Sequence, residues 1–377
     1  MTHLLENYNR LDFALMDGKE CHLIDHTGKS YLDLTSGIGV MNMGYSFEAG
    51  KAAVNYQLDH LAHLSNLYIN PLQEKVAEKL SANGNYKSFF CNSGTEANEA
   101  ALKLARLIRP NKKILAFKNG FHGRTFGAMS ATMQPKIQEG FSPLVPDFVS
   151  CHFNDVFDFE TQLKKEEIGA IIFEIIQGEG GILVIHPDFV AALKKAQKNG
   201  ILLIVDEVQT GIGRTGKRFA FEHFDLKPDL ITSAKALANG LPVGVMLAKN
   251  KYASYFSAGK HGSTFGGNPL AMASADAVLS HLTEDFLAEV EEKSDYFYRL
   301  LSEQLNHHPQ VLAIRGMGLM LGIQLDDSCD RAEMMARLRE KGVLVLSAGK
   351  NVIRLLPPLV IKKSELKQAS EILGEVL

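Results

Sequence analysis

Five consecutive apolar residues, Ile201 to Val205, stop abruptly at two carboxylates, Asp206 and Glu207. A run this uniformly apolar forms a strand buried on both faces, the situation of a parallel sheet covered by helices. The same grammar recurs upstream. KSFFC, KKILAFK, FVSCHF and GAIIFEII are short apolar runs. They alternate with helical spacing at roughly Pro71 to Ala82, Thr95 to about Ile108, Phe157 to Lys165 and Asp188 to Lys198. Strands separated by helices imply right-handed crossovers, so the fold class is α/β with a mostly parallel sheet.

The length, 377 residues, exceeds one ordinary core and implies two domains. Residues 1–50 read as an N-terminal arm and part of a small domain, because CHLID and SYLDL flank a hairpin-like turn at His26 to Lys29. Residues 51–280 form the large α/β domain. Residues 281–377, with VLAIRG, LMLGIQL, VLVLS and VIRLL beside amphipathic helices, form a small α+β domain.

Several function classes drop out. With a net charge of −3 and no basic block, a nucleic-acid surface is not expected. Cys21, Cys91, Cys151 and Cys329 are far apart and make no CxxC, which argues against a zinc site or disulfide framework and fits a reducing compartment. The start, MTHLLENYNRLDFAL, lacks the apolar core of a secretory signal, and no run reaches the length of a membrane span. The expectation is a soluble cytoplasmic protein. His60 and His63 share a helix in this reading but have no third ligand at metal-site spacing. No GxSxG elbow is present.

The chemistry is expected where the sheet ends. A second run, Leu230 to Ser233, leads to Lys235 between Ala234 and Ala236. Open α/β sheets place ligands at the carboxyl ends of their strands. A carboxylate and an amine facing one crevice could hold a nitrogen heterocycle and a carbonyl together. That suggests Lys235 in a Schiff base with pyridoxal phosphate and Asp206 on the pyridine nitrogen.

Other stretches permit two readings each. In NSGTEANEAALKLAR, Ser93, Gly94 and Thr95 open a helix and could cradle a phosphate, or Thr95 could be an ordinary cap. Phe121 and Arg124 in FHGRTFG could stack on a ring and grip a carboxylate, or be a buried ring and a solvated cation. Glu179 in FEIIQGEGG could hold an Arg until a substrate replaces it, or simply face water. Ser263 and Thr264 in HGSTFGGNPLA could contact phosphate or sit in a connector. Arg354 interrupts an apolar strand, VIRLL, and needs an anionic partner such as Glu179 or a substrate carboxylate. The glycine-rich SGIGVMNMGYS could pass close to a ligand or merely connect. GIGRTG, Gly211 to Gly216, matches GxGxxG, but no helix opens at its third glycine and two acids precede it, so a nucleotide site is a remote alternative.

Taken in order, NSGTEANEAALKLAR, FHGRTFG, EIIQGEGG, DEVQTGIGRTG, SAKALANGLPVG, GSTFGGNP and IRLLPPL resemble the class III, fold-type I pyridoxal-phosphate aminotransferases, from about Tyr31 to the C-terminus. The resemblance implies Lys235 as the Schiff-base lysine and Asp206 as the partner of the pyridinium nitrogen. Glu207, Val208 and Gln209 would follow at the cofactor, with Gln209 on the ring hydroxyl and Val208 and Phe121 on the two ring faces. Gly94 and Thr95 would bind the phosphate, joined by Thr264 from the second subunit of a homodimer whose active sites are shared. The similarity is greatest to members that pass the δ-amino group of N2-acetyl-L-ornithine to 2-oxoglutarate in arginine biosynthesis. Arg124 and Ser263 would then meet the donor, Arg354 the 2-oxoglutarate carboxylate, and Glu179 would neutralise Arg354 in the other half-reaction. Ile38 stands where ornithine-specific members carry a Tyr for a free α-amino group, which suits an acylated donor. Ornithine, succinylornithine or GABA are the alternative donors. Two positions depart from the family pattern: Ile175 follows Glu174 in place of Pro, and Tyr45 stands in place of His.

Overall fold

The computed structural model describes residues 3–377. Seven strands form the central sheet in the order Tyr86–Cys91, Gly244–Lys249, Leu230–Ser233, Leu202–Asp206, Ile168–Glu174, Lys113–Phe117, Phe148–Cys151. Leu202–Asp206 is the middle strand, buried throughout and parallel to both neighbours. Its register sets Asp206 level with Thr232 on one side and Glu174 on the other. The strand's side chains alternate between two cores. Leu202 and Ile204 pack with Ala100, Ala101 and Leu104 of the helix Gly94–Ile108. Leu203 and Val205 pack with Phe189 and Leu193 of the helix Pro187–Lys198 and with Met272 and Ala275 of Pro269–His281. Burial of each such aliphatic side chain contributes about 1.5–3 kcal/mol, which is why a strand apolar on both faces belongs in the centre.

Gly244–Lys249 runs antiparallel to both neighbours and was not among the strands expected from the sequence. It starts where the chain crosses the Ser93 backbone. A Cβ on Gly244 would lie 2.2 Å from the Ser93 carbonyl oxygen, so only glycine fits.

The hairpin at Gly28 forms as expected, with the Asp25 carboxylate accepting from the N–H groups of Thr27 and Lys29. Leu15–Lys19 adds a third strand, and Ser30–Asp33 pairs in parallel with Val343–Leu344 from the far end of the chain. VLVLS is therefore not one strand. Its first half joins this sheet, while Leu346–Ala348 pairs with Val352–Leu355 in a separate antiparallel sheet with Val311–Met317 and Met320–Leu325. Leu32 and Leu34 share one core with Phe297, Leu321, Ile353, Leu355, Leu366 and Leu373.

Three further expectations resolve here. The helix Glu48–His60 ends at His60, so His63 lies beyond it against the ring of Phe265 and the two do not share a helix. Tyr45 lies in a turn packed against the N-terminal sheet, its ring against Gly18 and its hydroxyl donating to Asp33 Oδ2 at 2.7 Å. Ile175 is wholly buried in the large core. Among the described residues no acid, His or Cys cluster suits a metal, and no helix is long and apolar enough to cross a membrane.

Candidate active site

The ends of the central strands open into a cavity of 420 Å³ lined by Ser93, Gly94, Thr95, Asn98, Phe121, His122, Arg124, Glu174, Glu179, Asp206, Val208, Gln209 and Lys235. The chain thus brings together most of the residues singled out from its sequence.

Asp206 forms the floor and is 4% exposed. Its Oδ2 accepts from Asn98 Nδ2 and pairs with His122 Nδ1, both at 2.8 Å, and its Oδ1 accepts from the Val208 N–H at 3.0 Å. Asn98 is itself fixed, donating to the His122 carbonyl and accepting from Thr232 Oγ1 at 2.7 Å. Oδ1, with a single bond, keeps a lone pair for a donor in the cavity. Glu174, on the adjacent strand end, accepts from the N–H groups of Phe121 and Gly178 and so sets the backbone that carries the Phe121 ring. Burial pushes the Glu174 carboxyl up to about 7.

Lys235 begins a tight turn just after its strand, at φ +46. Its amine has no hydrogen-bond partner among the described residues. Burial and then the Arg354 cation push it down to about 8, with Glu179, Asp206 and Glu174 opposing. The downward shift enlarges the neutral fraction of the amine, the form that acts as nucleophile and base.

At the other end, Ser93 caps the helix Gly94–Ile108, accepting the Glu96 N–H. Of the two readings of this stretch, the ordinary cap therefore falls to Ser93 and not to Thr95. Thr95 lies inside the first turn with its hydroxyl on Thr125 at 2.8 Å; the N–H groups of Gly94 and Thr95 have no partner among the described residues, the arrangement at a helix start that takes anions. Val208 sits so close to Gly94 that an added Cβ would meet its Cγ1 at 2.7 Å. Phe121 is half-buried beneath the Arg124 guanidinium, 5.8 Å from its centroid.

Arg354 is 3% exposed. Its Nη1 donates to Glu179 Oε1 at 2.7 Å and to Gln209 Oε1 at 3.2 Å, while its buried Nε has no partner among the described residues. That pairing answers the charge expected inside an apolar strand.

Five sequence-derived residues lie outside the lining: Arg354, which reaches it through Glu179 and Gln209, and four others. Glu207 points the other way: its carboxylate is fully buried on Thr210 Oγ1 and the Phe221 N–H, and burial pushes it up to about 7. The alternation of side chains along an extended backbone makes Asp206 and Glu207 face opposite ways, so Glu207 is corrected from a cofactor contact to a support for the loop after the strand. Ser263 accepts from Asn92 Nδ2 at 3.2 Å beside the cradle. Thr264 is exposed. Ile38 is 44% exposed, while Val40, two residues on, does line the cavity. Conversely, Asn98, His122, Thr232 and Glu174 hold the site without having been assigned to it. Asn98 had one sequence signal, a polar residue among Ala97, Ala100 and Ala101 on the helix's buried face.

These groups fit pyridoxal phosphate. Free N–H groups suit the phosphate, Phe121 and Val208 the ring, the Asp206 carboxylate the pyridine nitrogen, and the Lys235 amine the aldehyde carbon.

Comparison with known proteins agrees. The model of the family "Aminotransferase class-III" matches residues 5–377. An acetylornithine aminotransferase of Lactococcus lactis subsp. lactis (strain IL1403) is 67% identical over 377 residues, covering all of both chains. One of Streptococcus mutans serotype c is 48% identical over 378 residues, covering 100% of this chain and 99% of that one. Among solved structures, an ornithine aminotransferase of Toxoplasma gondii with partial occupancy of PLP at its active site superposes with a TM-score of 0.94 at 30% identity, over 99% of this chain and 91% of its own.

Proposed function

This chain belongs to the class-III aminotransferases, and from that premise we propose that it transfers the δ-amino group of N2-acetyl-L-ornithine to 2-oxoglutarate. The products are N-acetyl-L-glutamate 5-semialdehyde and L-glutamate, a step of arginine biosynthesis. The enzyme is an aminotransferase and its cofactor is pyridoxal 5′-phosphate. The observation that carries the reading is the Lys235 amine and the Asp206 carboxylate lining one cavity at the ends of adjacent parallel strands. The choice of donor is supported by the relatives named for acetylornithine.

When bound, the cofactor supplies an aldehyde that takes up the donor nitrogen and a ring that draws off the electron pair left by deprotonation. Asp206 keeps a proton on the ring nitrogen, and Asn98 and His122 hold its carboxylate in place for that. Lys235 would hold the cofactor through its amine, and would remove a proton from the donor's δ-carbon as general base and return one as general acid. Gly94 and Thr95 anchor the phosphate through their N–H groups, and Val208 and Phe121 hold the ring plane. Arg124 and Ser263 orient the donor. Arg354 takes the 2-oxoglutarate carboxylate once Glu179 withdraws; with the donor present, the 2.7 Å pair keeps Arg354 neutralised. One site serving two substrates in turn gives ping-pong kinetics.

The working unit in this reading is a homodimer that completes each site with Thr264 of the second copy. The exposure of Thr264 supports it, as do three apolar side chains in or near the same loop region: Leu67 at 90%, Ile69 at 86% and Phe265 at 61% exposed. A cytoplasmic location accords with four unpaired cysteines.

Half-reaction kinetics with acetylornithine, ornithine, succinylornithine and GABA test the donor. The expected order places acetylornithine first in kcat/KM. A higher value for one of the others reassigns the donor within the family.

A further inference from the structure

Arg214, in the GIGRTG segment, takes no part in the chemistry above, yet it is the largest fully buried side chain, 0% exposed. Its Nη1 donates to the Leu319 carbonyl at 2.9 Å and the Pro357 carbonyl at 2.6 Å. Its Nη2 donates to Ser36 Oγ at 3.3 Å and to Asn42 Oδ1. All four acceptors are neutral; among the described residues no carboxylate hydrogen-bonds the guanidinium, and the buried Asp33 carboxylate acts on it only at a distance. A buried cation without a directly bonded counter-ion is costly, and what it gains is geometry: three separate segments fastened to the loop that leaves Asp206.

One of those segments cannot hold its own shape. Ser36, Gly37, Ile38 and Gly39 have φ of 41, 61, 66 and 76, a continuous left-handed turn. Such a turn is unfavourable for L-residues, most of all for a β-branched one like Ile38. It persists only where its surroundings over-determine it. Arg214 grips it at both ends, through Ser36 and Asn42. Ser36 Oγ donates onward to the Leu356 carbonyl at 2.7 Å, and Asn42 Nδ2 returns to the Ile212 carbonyl at 3.0 Å. The turn delivers Val40 to the cavity wall and sets Gly39 against Gln209, the partner of Arg354.

We propose that Arg214 is a positioning residue whose guanidinium holds the left-handed turn at Ser36–Gly39, and through it Val40 in the wall of the substrate cavity, and thereby sets which amine donor is accepted. The proposal rests on the aminotransferase reading. GIGRTG is then a buried clasp, and its glycines serve close packing: a Cβ on Gly213 would meet Leu282 at 2.9 Å.

The test uses the cofactor-loaded enzyme and two variants, Arg214→Lys and Ser36→Ala. Lysine keeps the charge but cannot reach four acceptors from one fork. Cofactor affinity is read by absorbance titration. Half-saturating donor concentration and limiting rate are read in single half-reactions. In Arg214→Lys the half-saturating donor concentration is expected to rise about tenfold with the limiting rate and cofactor affinity within about twofold, the pattern of lost ground-state positioning. Ser36→Ala should move the same way by about threefold. In both, the preference for the favoured donor over ornithine should shrink. Unchanged selectivity in Ser36→Ala, or a parallel loss of cofactor and donor affinity, overturns the proposal. Should Arg214→Lys fail to fold, Ser36→Ala decides by the same criteria. Selectivity is measured against whichever ω-amine the unaltered enzyme prefers, so a mistaken donor shows in the unaltered enzyme and leaves this test standing.

Discussion

Lys235 owes its reactivity to lost solvent and a neighbouring cation, and both act against its charged form. The sign is definite: with the amine pushed down from 10.5 to about 8, its neutral fraction grows as pH rises toward 8 and saturates above it. Capture of pyridoxal phosphate by the apoprotein should therefore accelerate about tenfold per pH unit well below 8 and level off above it. Stopped-flow absorbance checks this, and a rate flat from about pH 6 to 9 would show that the amine is not the titrating group. At this scale the sequence exposes residues that end strands and hides those that brace them. Asp206 and Lys235 each terminate an apolar run and stand out. His122 and Asn98 reach Asp206 across 84 and 108 positions of sequence, by contacts that exist only once the sheet has formed.

Elements were legible where one period dominated. The middle strand has no polar residue before Asp206 and can only be a buried strand. The helices Gly94–Ile108 and Pro187–Lys198 carry clean apolar stripes. Gly244–Lys249 was missed because its direction and start are dictated by the close approach of Gly244 to Ser93, a tertiary constraint with no local period. VLVLS misled for a related reason: an unbroken apolar run says nothing of which sheet each half will join. The segment after the helix Glu48–His60 presents Leu61, Leu67, Tyr68 and Ile69 to solvent. The proposed homodimer would cover this apolar surface. Sedimentation equilibrium should give twice the chain mass of 41.5 kDa. A monomer at micromolar concentration would remove the shared-site reading and leave Thr264 without a part.

On the scale of the whole molecule, the site is where distant parts of one chain are held in register. The central sheet supplies Asp206, Glu174 and Lys235, and the antiparallel sheet supplies Arg354. The N-terminal turn supplies Val40, with Arg214 fastening it from behind. The α/β class followed from alternation alone. The joining of a C-terminal strand to the N-terminal sheet did not, because nothing local in Ser30–Asp33 announces Val343–Leu344 as its partner. The account as a whole depends on pyridoxal phosphate being held through one lysine. Its most direct test is the visible absorbance of the purified protein after incubation with that cofactor, beside Lys235→Ala. The unaltered protein should develop a visible band that acetylornithine bleaches and 2-oxoglutarate restores, and Lys235→Ala should show neither the band nor the cycle. An unaltered protein that stays colourless, or a Lys235→Ala variant that keeps both band and turnover, would contradict the assignment.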